Sequence, residues 1–375
     1  MKIRPTQAIV NLKAIAHNTL TLKHHVGAGV LFMAVVKANA YGHGIIPVAK
    51  TAIAAGADWL GVALAEEAIE LRHAGVTHPI LVLGAVAAEG ANQLVQHSIS
   101  ATVTTLESVL AMNAAAEAAG CNISIHIKVD TGMGRIGLHP REVLSFVEKA
   151  ASLKYIRVEG IFSHFASADE KDQGYSYRQL NEFKDVLASL EDRRIQIPLR
   201  HFAGSAATIE LPESYFDMVR PGISLFGVYP SNEVDHSIDL QPAMTLKTKI
   251  AFLKEVPAGA FISYGRKFVT KQKTMIATLP VGYADGYPRL LTNQGEVLVC
   301  GKRAPVVGRV CMDMTMIDVT GIPQAMVGTD VVLFGRQNGA EILVDSIAHK
   351  SGTISHEIFC GITNRVPRHY INEIF

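Results

Sequence analysis

Lys37 follows the apolar run Leu31-Phe32-Met33-Ala34-Val35-Val36 and opens the loop Ala38-Asn39-Ala40-Tyr41-Gly42-His43-Gly44. An apolar run of this length, bounded by turn chemistry, predicts a buried strand of a parallel sheet. An ammonium at the carboxyl end of such a strand is costly unless it is paired or sheds its proton. A lysine that deprotonates readily is the kind that forms a Schiff base with an aldehyde cofactor; the alternative is a snorkelling lysine with its head in solvent. Arg220-Pro221-Gly222-Ile223 offers a second chemistry. Gly222 permits close backbone approach, and consecutive N–H groups there could cradle a phosphate, with an ordinary strand-to-helix turn as the competing reading. Lys128-Val129-Asp130-Thr131-Gly132-Met133-Gly134-Arg135-Ile136-Gly137 is dense in glycine and in charge. Ser263-Tyr264-Gly265-Arg266 and Gly282-Tyr283-Ala284-Asp285-Gly286-Tyr287 each set tyrosine beside glycine, which alone marks a loop aromatic. Isolated histidines such as His164 and His201 are more commonly satisfied structural groups.

The elements that must position these residues can be read from the apolar pattern. Strands are predicted at Leu31–Val36, Trp59–Leu64, Ile80–Leu83, Ser100–Thr104, Ile123–Val129, Val158–Ser163, Arg200–Ala203 and Met218–Arg220. Helices are predicted between them at Pro47–Ala55, Glu66–Ala74, Leu106–Ala119, Arg141–Ser152 and Arg178–Leu190. Repeated strand–helix alternation predicts an α/β fold, a TIM-like (β/α)8 barrel; an open doubly wound sheet competes, but no glycine-rich dinucleotide fingerprint follows the first strand. Barrel active sites lie at the carboxyl ends of the strands. Lys37, Asp130, His164, Ser205 and Arg220 all fall at or just past such ends, so sequence-distant polar groups converge on one rim.

The pattern changes after Tyr229. The polar stretch from Pro230 to Ser237 reads as a linker. Beyond it, closely spaced strands at Met244–Phe252, Thr274–Pro280, Glu296–Val299, Ala304–Val310, Thr315–Asp318 and Asp330–Leu333 predict a C-terminal all-β domain. The opening Ala8–Leu12 segment is a candidate strand of the same domain. The expected division is a barrel over residues 13–235 and a β-strand domain over 236–375 joined by residues 1–12.

Composition narrows the function classes. Among 375 residues, 49% are apolar and the formal charge is +1, from 35 basic and 34 acidic side chains. Without a basic run, nucleic acid is not an expected partner. No apolar segment approaches membrane-spanning length, and the opening Met1-Lys2-Ile3-Arg4-Pro5-Thr6 lacks signal-peptide character. The cysteines Cys121, Cys300, Cys311 and Cys360 are scattered without metal-binding spacing, which fits reduced thiols in a cytoplasmic protein and no metal site.

The string Ala34-Val35-Val36-Lys37-Ala38-Asn39-Ala40-Tyr41-Gly42-His43-Gly44 resembles the pyridoxal phosphate attachment segment of the alanine racemases, and later segments resemble the same family in order, from Lys37 to Arg368. The resemblance implies that Lys37 carries pyridoxal 5'-phosphate and serves as one catalytic base, and that Tyr264 is the base for the opposite face. A phenol ionises at about pH 10, so a tyrosine base needs nearby positive charge, here a chain through His164 to Arg220. Arg220 would face the pyridine nitrogen. Ser205, with the backbone amides of Gly222 and Ile223, would hold the phosphate; Tyr41, His164 and His356 complete the cofactor contacts. Arg135, Met312, Tyr283 and Asp313 would meet the substrate. Lys128 matches a lysine that many members carry as a carbamate, and unmodified pairing with Asp130 is the alternative. His201 resembles a histidine supporting the arginine. The β-domain residues would reach the barrel of a partner subunit, implying a homodimer with shared active sites.

Three positions depart from the family pattern. Gly204 stands where asparagine usually precedes the serine, His356 where a tyrosine commonly reaches the phosphate, and Phe226 where a tyrosine often follows the arginine motif. These changes are expected to weaken cofactor retention without changing the reaction. The implied activity is interconversion of L- and D-alanine, supplying D-alanine for peptidoglycan, with a broader amino-acid racemase (serine included) as the alternative. Related decarboxylases lack the Tyr264 segment, and non-catalytic carriers of the cofactor have a barrel but no β-domain. Exported broad racemases carry signal peptides and disulfides.

Overall fold

The computed structural model describes residues 4–373. The chain divides into two units. One comprises residues 14–40 and 45–241; the other comprises the segment up to Lys13, residues 41–44 and residues from 242 onward.

The opening strand β1 (Gln7–Asn11) belongs to the second unit. The first unit is a closed parallel barrel of β2 (Leu31–Val35), β3 (Trp59–Val62), β4 (Ile80–Ala85), β5 (Ser100–Val103), β6 (Ile123–Lys128), β7 (Ile156–Phe162), β8 (Leu199–His201) and β9 (Met218–Val219). Closure comes from Leu31 and Phe32 of β2 pairing with Met218 and Val219 of β9. Helices connect successive strands, and their ends follow capping rules. The helix Leu106–Ala119 begins with Thr105 accepting the Ser108 N–H at 3.3 Å and stops at Gly120, whose φ of 67° needs no Cβ. Met33, Trp59, Leu81 and Met218, from four different strands, pack into one buried cluster. The α/β barrel expected from strand–helix alternation is therefore the fold observed.

The second unit is built from strands joined largely antiparallel. One sheet contains β10 (Met244–Lys249), β15 (Glu296–Val299), β16 (Lys302–Pro305), β18 (Asp330–Gln337), β19 (Ala340–Ile342) and β20 (Arg368–Ile371), with β1 between β10 and β20. A three-stranded sheet joins β11 (Phe252–Val256), β14 (Thr274–Leu279) and β17 (Thr315–Asp318), and β12 (Phe261–Ile262) pairs with β13 (Phe268–Val269). Ile262, Ile276 and Val307 form a buried cluster in this unit.

Three local expectations are corrected. The strand expected over Met244–Phe252 breaks at Ile250 and Ala251, leaving β10 and β11 in different sheets. The strand expected over Ala304–Val310 ends at Pro305; Gly308, at a φ of 77°, turns the chain instead. The C-terminal unit also contains the short helices Val344–Lys350 and Ser355–Gly361, too brief to stand out from an apolar run.

Candidate active site

Each polar group singled out in the barrel stands where a strand gives way to its loop. Lys37 lies just past β2, Asp130 past β6, His164 past β7, and Arg220 directly after β9. Ser205 opens the helix Ser205–Glu210 that follows β8.

The segment after Lys37 is not an ordinary loop. Ala38, Asn39 and Ala40 have φ/ψ of 53/51°, 54/46° and 51/53°, and Tyr41 has a φ of 51°. This is a left-handed turn made of residues with a Cβ, each costing about 1–2 kcal/mol relative to the right-handed form. The turn is held by Ala40 N–H donating to Val36 C=O at 2.8 Å and Ile45 N–H donating to the Asn39 side chain at 2.8 Å.

Arg220 is almost fully buried, at 5% exposure. Its Nη1 faces His201 Nδ1 at 2.9 Å; its Nη2 donates to Ser163 C=O at 2.7 Å and Phe202 C=O at 3.0 Å, and faces His164 Nδ1 at 3.3 Å. Burial lowers the guanidinium to about 9, so it remains cationic at neutral pH. The histidines go the other way. Burial first, and then the charge of Arg220, hold His164 and His201 well below the ordinary imidazole range, so both rings are neutral. The charges of Lys128, Arg135 and Lys37 act on His164 in the same direction, which places five groups from distant parts of the sequence on one rim.

Ser205 forms the other side of this rim. Its Oγ accepts the Gly222 N–H at 2.8 Å and the Ser224 N–H at 3.4 Å, leaving its own proton to donate. A Cβ built on Gly204 would lie 3.0 Å from His164 Cε1, so the glycine accommodates the histidine ring and contributes no side-chain donor.

The glycine-rich loop after β6 is organised by Asp130, whose carboxylate accepts the N–H groups of Gly132 at 3.0 Å and Gly134 at 3.1 Å. Burial alone would raise that carboxyl; the backbone donors and Lys128 outweigh it and lower its pKa. Arg135 stands exposed on this loop. Lys128, 2% exposed, donates to Val129 C=O at 2.6 Å. Its ammonium is lowered to about 7, by burial first and then by Arg220, with Asp130 opposing. An appreciable share of the amine is thus unprotonated at neutral pH.

Tyr41, Tyr264, Tyr283, Met312, Asp313 and His356 belong to the second unit. There, Tyr264, Tyr283, Met312 and Asp313 line one groove of about 910 Å³ with Arg289, Arg309 and Cys311. Tyr264 is displayed at 72% exposure, between Ser263 at a φ of 67° and Gly265 at 68°. The Tyr283 loop is laced to its neighbour by Tyr283 N–H to Cys311 C=O and Ala284 N–H to Met312 C=O, both 3.0 Å. A Cβ at Gly282 would strike those two carbonyls, which explains the glycine before Tyr283. Asp285 receives Gly282 N–H at 3.0 Å and Arg4 at 2.5 Å; Arg365 lies 3.6 Å from it and reaches Asp313 at 2.7 Å. Tyr41 and His356 do not line the groove; their rings meet at 5.7 Å. Burial pushes the Tyr41 hydroxyl upward, so it stays protonated.

Profiles of the alanine racemase N-terminal and C-terminal domains match residues 10–230 and 243–370. The chain belongs to the alanine racemase family. It is 52% identical over 371 residues to the alanine racemase of Halothermothrix orenii, covering 99% of this chain and 98% of the relative. It is 51% identical to alanine racemase 2 of Caldanaerobacter subterraneus, covering 100% and 97%. Among solved structures it resembles the alanine racemase of D-cycloserine-producing Streptomyces lavendulae at a TM-score of 0.94, with 38% identity and coverage of 99% and 98%. The alanine racemase of Bacillus anthracis with bound L-Ala-P matches at a TM-score of 0.93, with 40% identity and coverage of 99% and 96%. Alanine racemases are pyridoxal phosphate-dependent isomerases. The rim fits that group: it offers a hydroxyl and backbone amides to a phosphate, a guanidinium to a ring nitrogen and a strand-end lysine to an aldehyde.

Two barrel residues of consequence escaped the motif reading. His126 Nδ1 lies 2.9 Å from His201 Nε2, and His126 in turn faces Glu159 at 3.6 Å. The signal was present in β6, where Ser124, His126 and Lys128 alternate with Ile123, Ile125 and Ile127. A polar period of two on a barrel strand marks a polar interior.

Proposed function

We propose that the chain interconverts L- and D-alanine using pyridoxal 5'-phosphate attached to Lys37. The observation that carries the reading is the cationic Arg220, fixed among Ser163, His201, Phe202 and neutral His164 on the rim that ends with Lys37. The phosphorylated cofactor, when bound, supplies an electron sink for the pair left at Cα once its proton is removed. Arg220 can donate to the ring nitrogen without giving up its proton, so it tempers that sink and favours return of a proton to Cα. Ser205 Oγ–H and the amide of Ile223 hold the phosphate end, and the Gly222 N–H, which donates to Ser205 Oγ, keeps that hydroxyl in place. Arg135 binds the substrate carboxylate, supported by the Met312 N–H and Asp313, while Tyr283 walls the entrance. Lys37 moves the Cα proton on one face and Tyr264 on the other. His164 carries the positive field of Arg220 toward the tyrosine, and Tyr41 and His356 complete the cofactor's surroundings. Lys128, carried as a carbamate, would hold Arg135 by a charge-assisted pair.

Tyr264, Tyr283 and Met312 are 72%, 40% and 53% exposed on their own unit. Such exposure supports a homodimer in which the groove of one copy completes the barrel rim of the other. Among the described residues, no helix is long and apolar enough to cross a membrane. Cys121, Cys300, Cys311 and Cys360 form no disulfide, which supports a cytoplasmic setting. D-Alanine made there would feed peptidoglycan synthesis.

The test is incubation with L-alanine in deuterium oxide, supplemented with the cofactor, following optical rotation and the Cα proton together. Loss of rotation with Cα deuteration, and no amine or pyruvate, is the expected result. Unchanged L-alanine would reject the substrate, and parallel runs with serine would reveal a broader racemase, since one hydroxyl separates substrates only weakly in a small pocket.

A further inference from the structure

We propose that Glu67 is a positioning residue for Lys37. Its Oε1 accepts the Ala38 N–H at 2.5 Å, while its Oε2 accepts the N–H groups of Ala63 at 2.8 Å and Leu64 at 3.2 Å. Ala38 immediately follows Lys37; Ala63 and Leu64 immediately follow β3. One carboxylate therefore clamps together the ends of two neighbouring barrel strands, whose register is Met33 with Trp59 and Val35 with Gly61.

Part of this arrangement is local. Glu67 lies in the first turn of the helix Ala65–His73, where an anion is favoured, and its bond to Leu64 closes the helix entry. The bond to Ala38 has no part in starting that helix. It reaches across to Ala38, the first left-handed residue after Lys37. Two other bonds in the turn, Ala40 to Val36 and Ile45 to Asn39, close within the same segment. The bond to Glu67 instead ties the turn to another strand. A charge-assisted acceptor on successive strands is suited to hold a strained backbone in place.

This rests on Lys37 being the cofactor attachment point. The test uses the holoenzyme, with two readings apart from turnover: hydrogen exchange of the peptide spanning Val36–Tyr41, and visible circular dichroism of the cofactor band, which reports how the attached ring is held. In Glu67→Gln the amide nitrogen presents a donor to backbone donors. Exchange at Ala38 should quicken about tenfold or more, and the dichroic band should change in size. Adding Ala38→Gly, which makes the left-handed conformation free of Cβ strain, should move the band back toward the parent. A role confined to capping the helix would give no such recovery. Should E67Q fail to fold, Glu67→Asp keeps the charge but is a methylene too short to span both strands, and it takes the same readings. Unchanged exchange, an unchanged band, or a double variant no better than the single one overturns the proposal. Borohydride reduction of the parent distinguishes the deeper failure: cofactor absent from Lys37 sinks the reading of the lysine and the clamp's role with it.

Discussion

Arg220 Nη1 lies 2.9 Å from His201 Nδ1. A guanidinium can only donate, so His201 Nδ1 must accept and its proton sits on Nε2. That proton then points at His126 Nδ1, 2.9 Å away, and places the His126 proton on Nε2, toward Glu159. A single cation thus fixes the tautomers of two buried rings across the barrel interior. Neither ring can take a second proton without facing a donor.

This has a pH consequence. Burial holds His126, His164 and His201 below the ordinary imidazole pKa, with Arg220 adding to the fall at each. The unfolded chain takes up protons on these rings at about pH 6.5, while the folded chain does not. Their contribution is therefore present above that pH and lost as pH falls below it. Calorimetric melting temperatures should drop steeply between about pH 6.5 and pH 5, and His201→Gln, which can still accept from Arg220 and donate to His126, should flatten the drop.

Arg220→Lys keeps the charge but cannot reproduce a fork that reaches two carbonyls and two imidazoles. The loss of buried, charge-assisted hydrogen bonds should cost about 2–4 kcal/mol of stability in urea unfolding, with kcat/KM for alanine reduced about a hundredfold or more. A lysine variant with parental unfolding would show that the network is not what holds this residue.

Tyr264→Phe removes one of two proposed bases, and the equilibrium constant of one for enantiomers forbids a difference between the two kcat/KM values. The asymmetry should appear in exchange instead. In deuterium oxide, proton NMR should show one enantiomer losing its Cα proton at close to the parental rate while racemisation falls about a hundredfold or more. Equal loss of exchange from both enantiomers would remove Tyr264 from proton transfer.

Ser205→Ala deletes a hydroxyl whose oxygen collects the Gly222 and Ser224 amides. Cofactor affinity, followed by absorbance during dialysis, should weaken about tenfold, corresponding to about 1.4 kcal/mol. Affinity at the parental level would relocate the phosphate.

Lys128 sits near pH 7 in its protonation, which makes its amine a nucleophile toward dissolved carbon dioxide. Labelling with carbon-13 bicarbonate should produce a carbamate signal that Lys128→Arg abolishes. Its absence in the parent would leave Lys128 as a buried amine bonded to Val129.

The strand–helix alternation made the barrel legible, because a parallel strand covered on both faces reads as a near-continuous apolar run. The run from Leu31 to Val36 needed no tertiary information to be read as a strand, nor did the position of Lys37 at its end. By the same rule, Asp130, His164, Ser205 and Arg220 were recognisable as rim residues from their places after apolar runs, and Ala8–Leu12 as a candidate strand of the other domain because the barrel pattern begins only after it. Short elements were less legible. Seven-residue helices at Val344–Lys350 and Ser355–Gly361 carry too few turns to establish a period, and the break at Ile250 interrupts no apolar pattern.

What the sequence determined by itself was residue type and strand-end position: a lysine, an arginine and a serine brought to one rim by the closure of a barrel. What only the tertiary structure decided was their state. Burial among Arg220, Lys128 and each other makes the histidines neutral, lowers Lys128 and fixes two tautomers, and no spacing along the chain encodes a dielectric environment. The left-handed turn from Ala38 to Tyr41 is likewise invisible in a stretch whose residues prefer the opposite hand. It exists because contacts such as the one from Glu67, 29 residues away from Ala38 in sequence, hold it there.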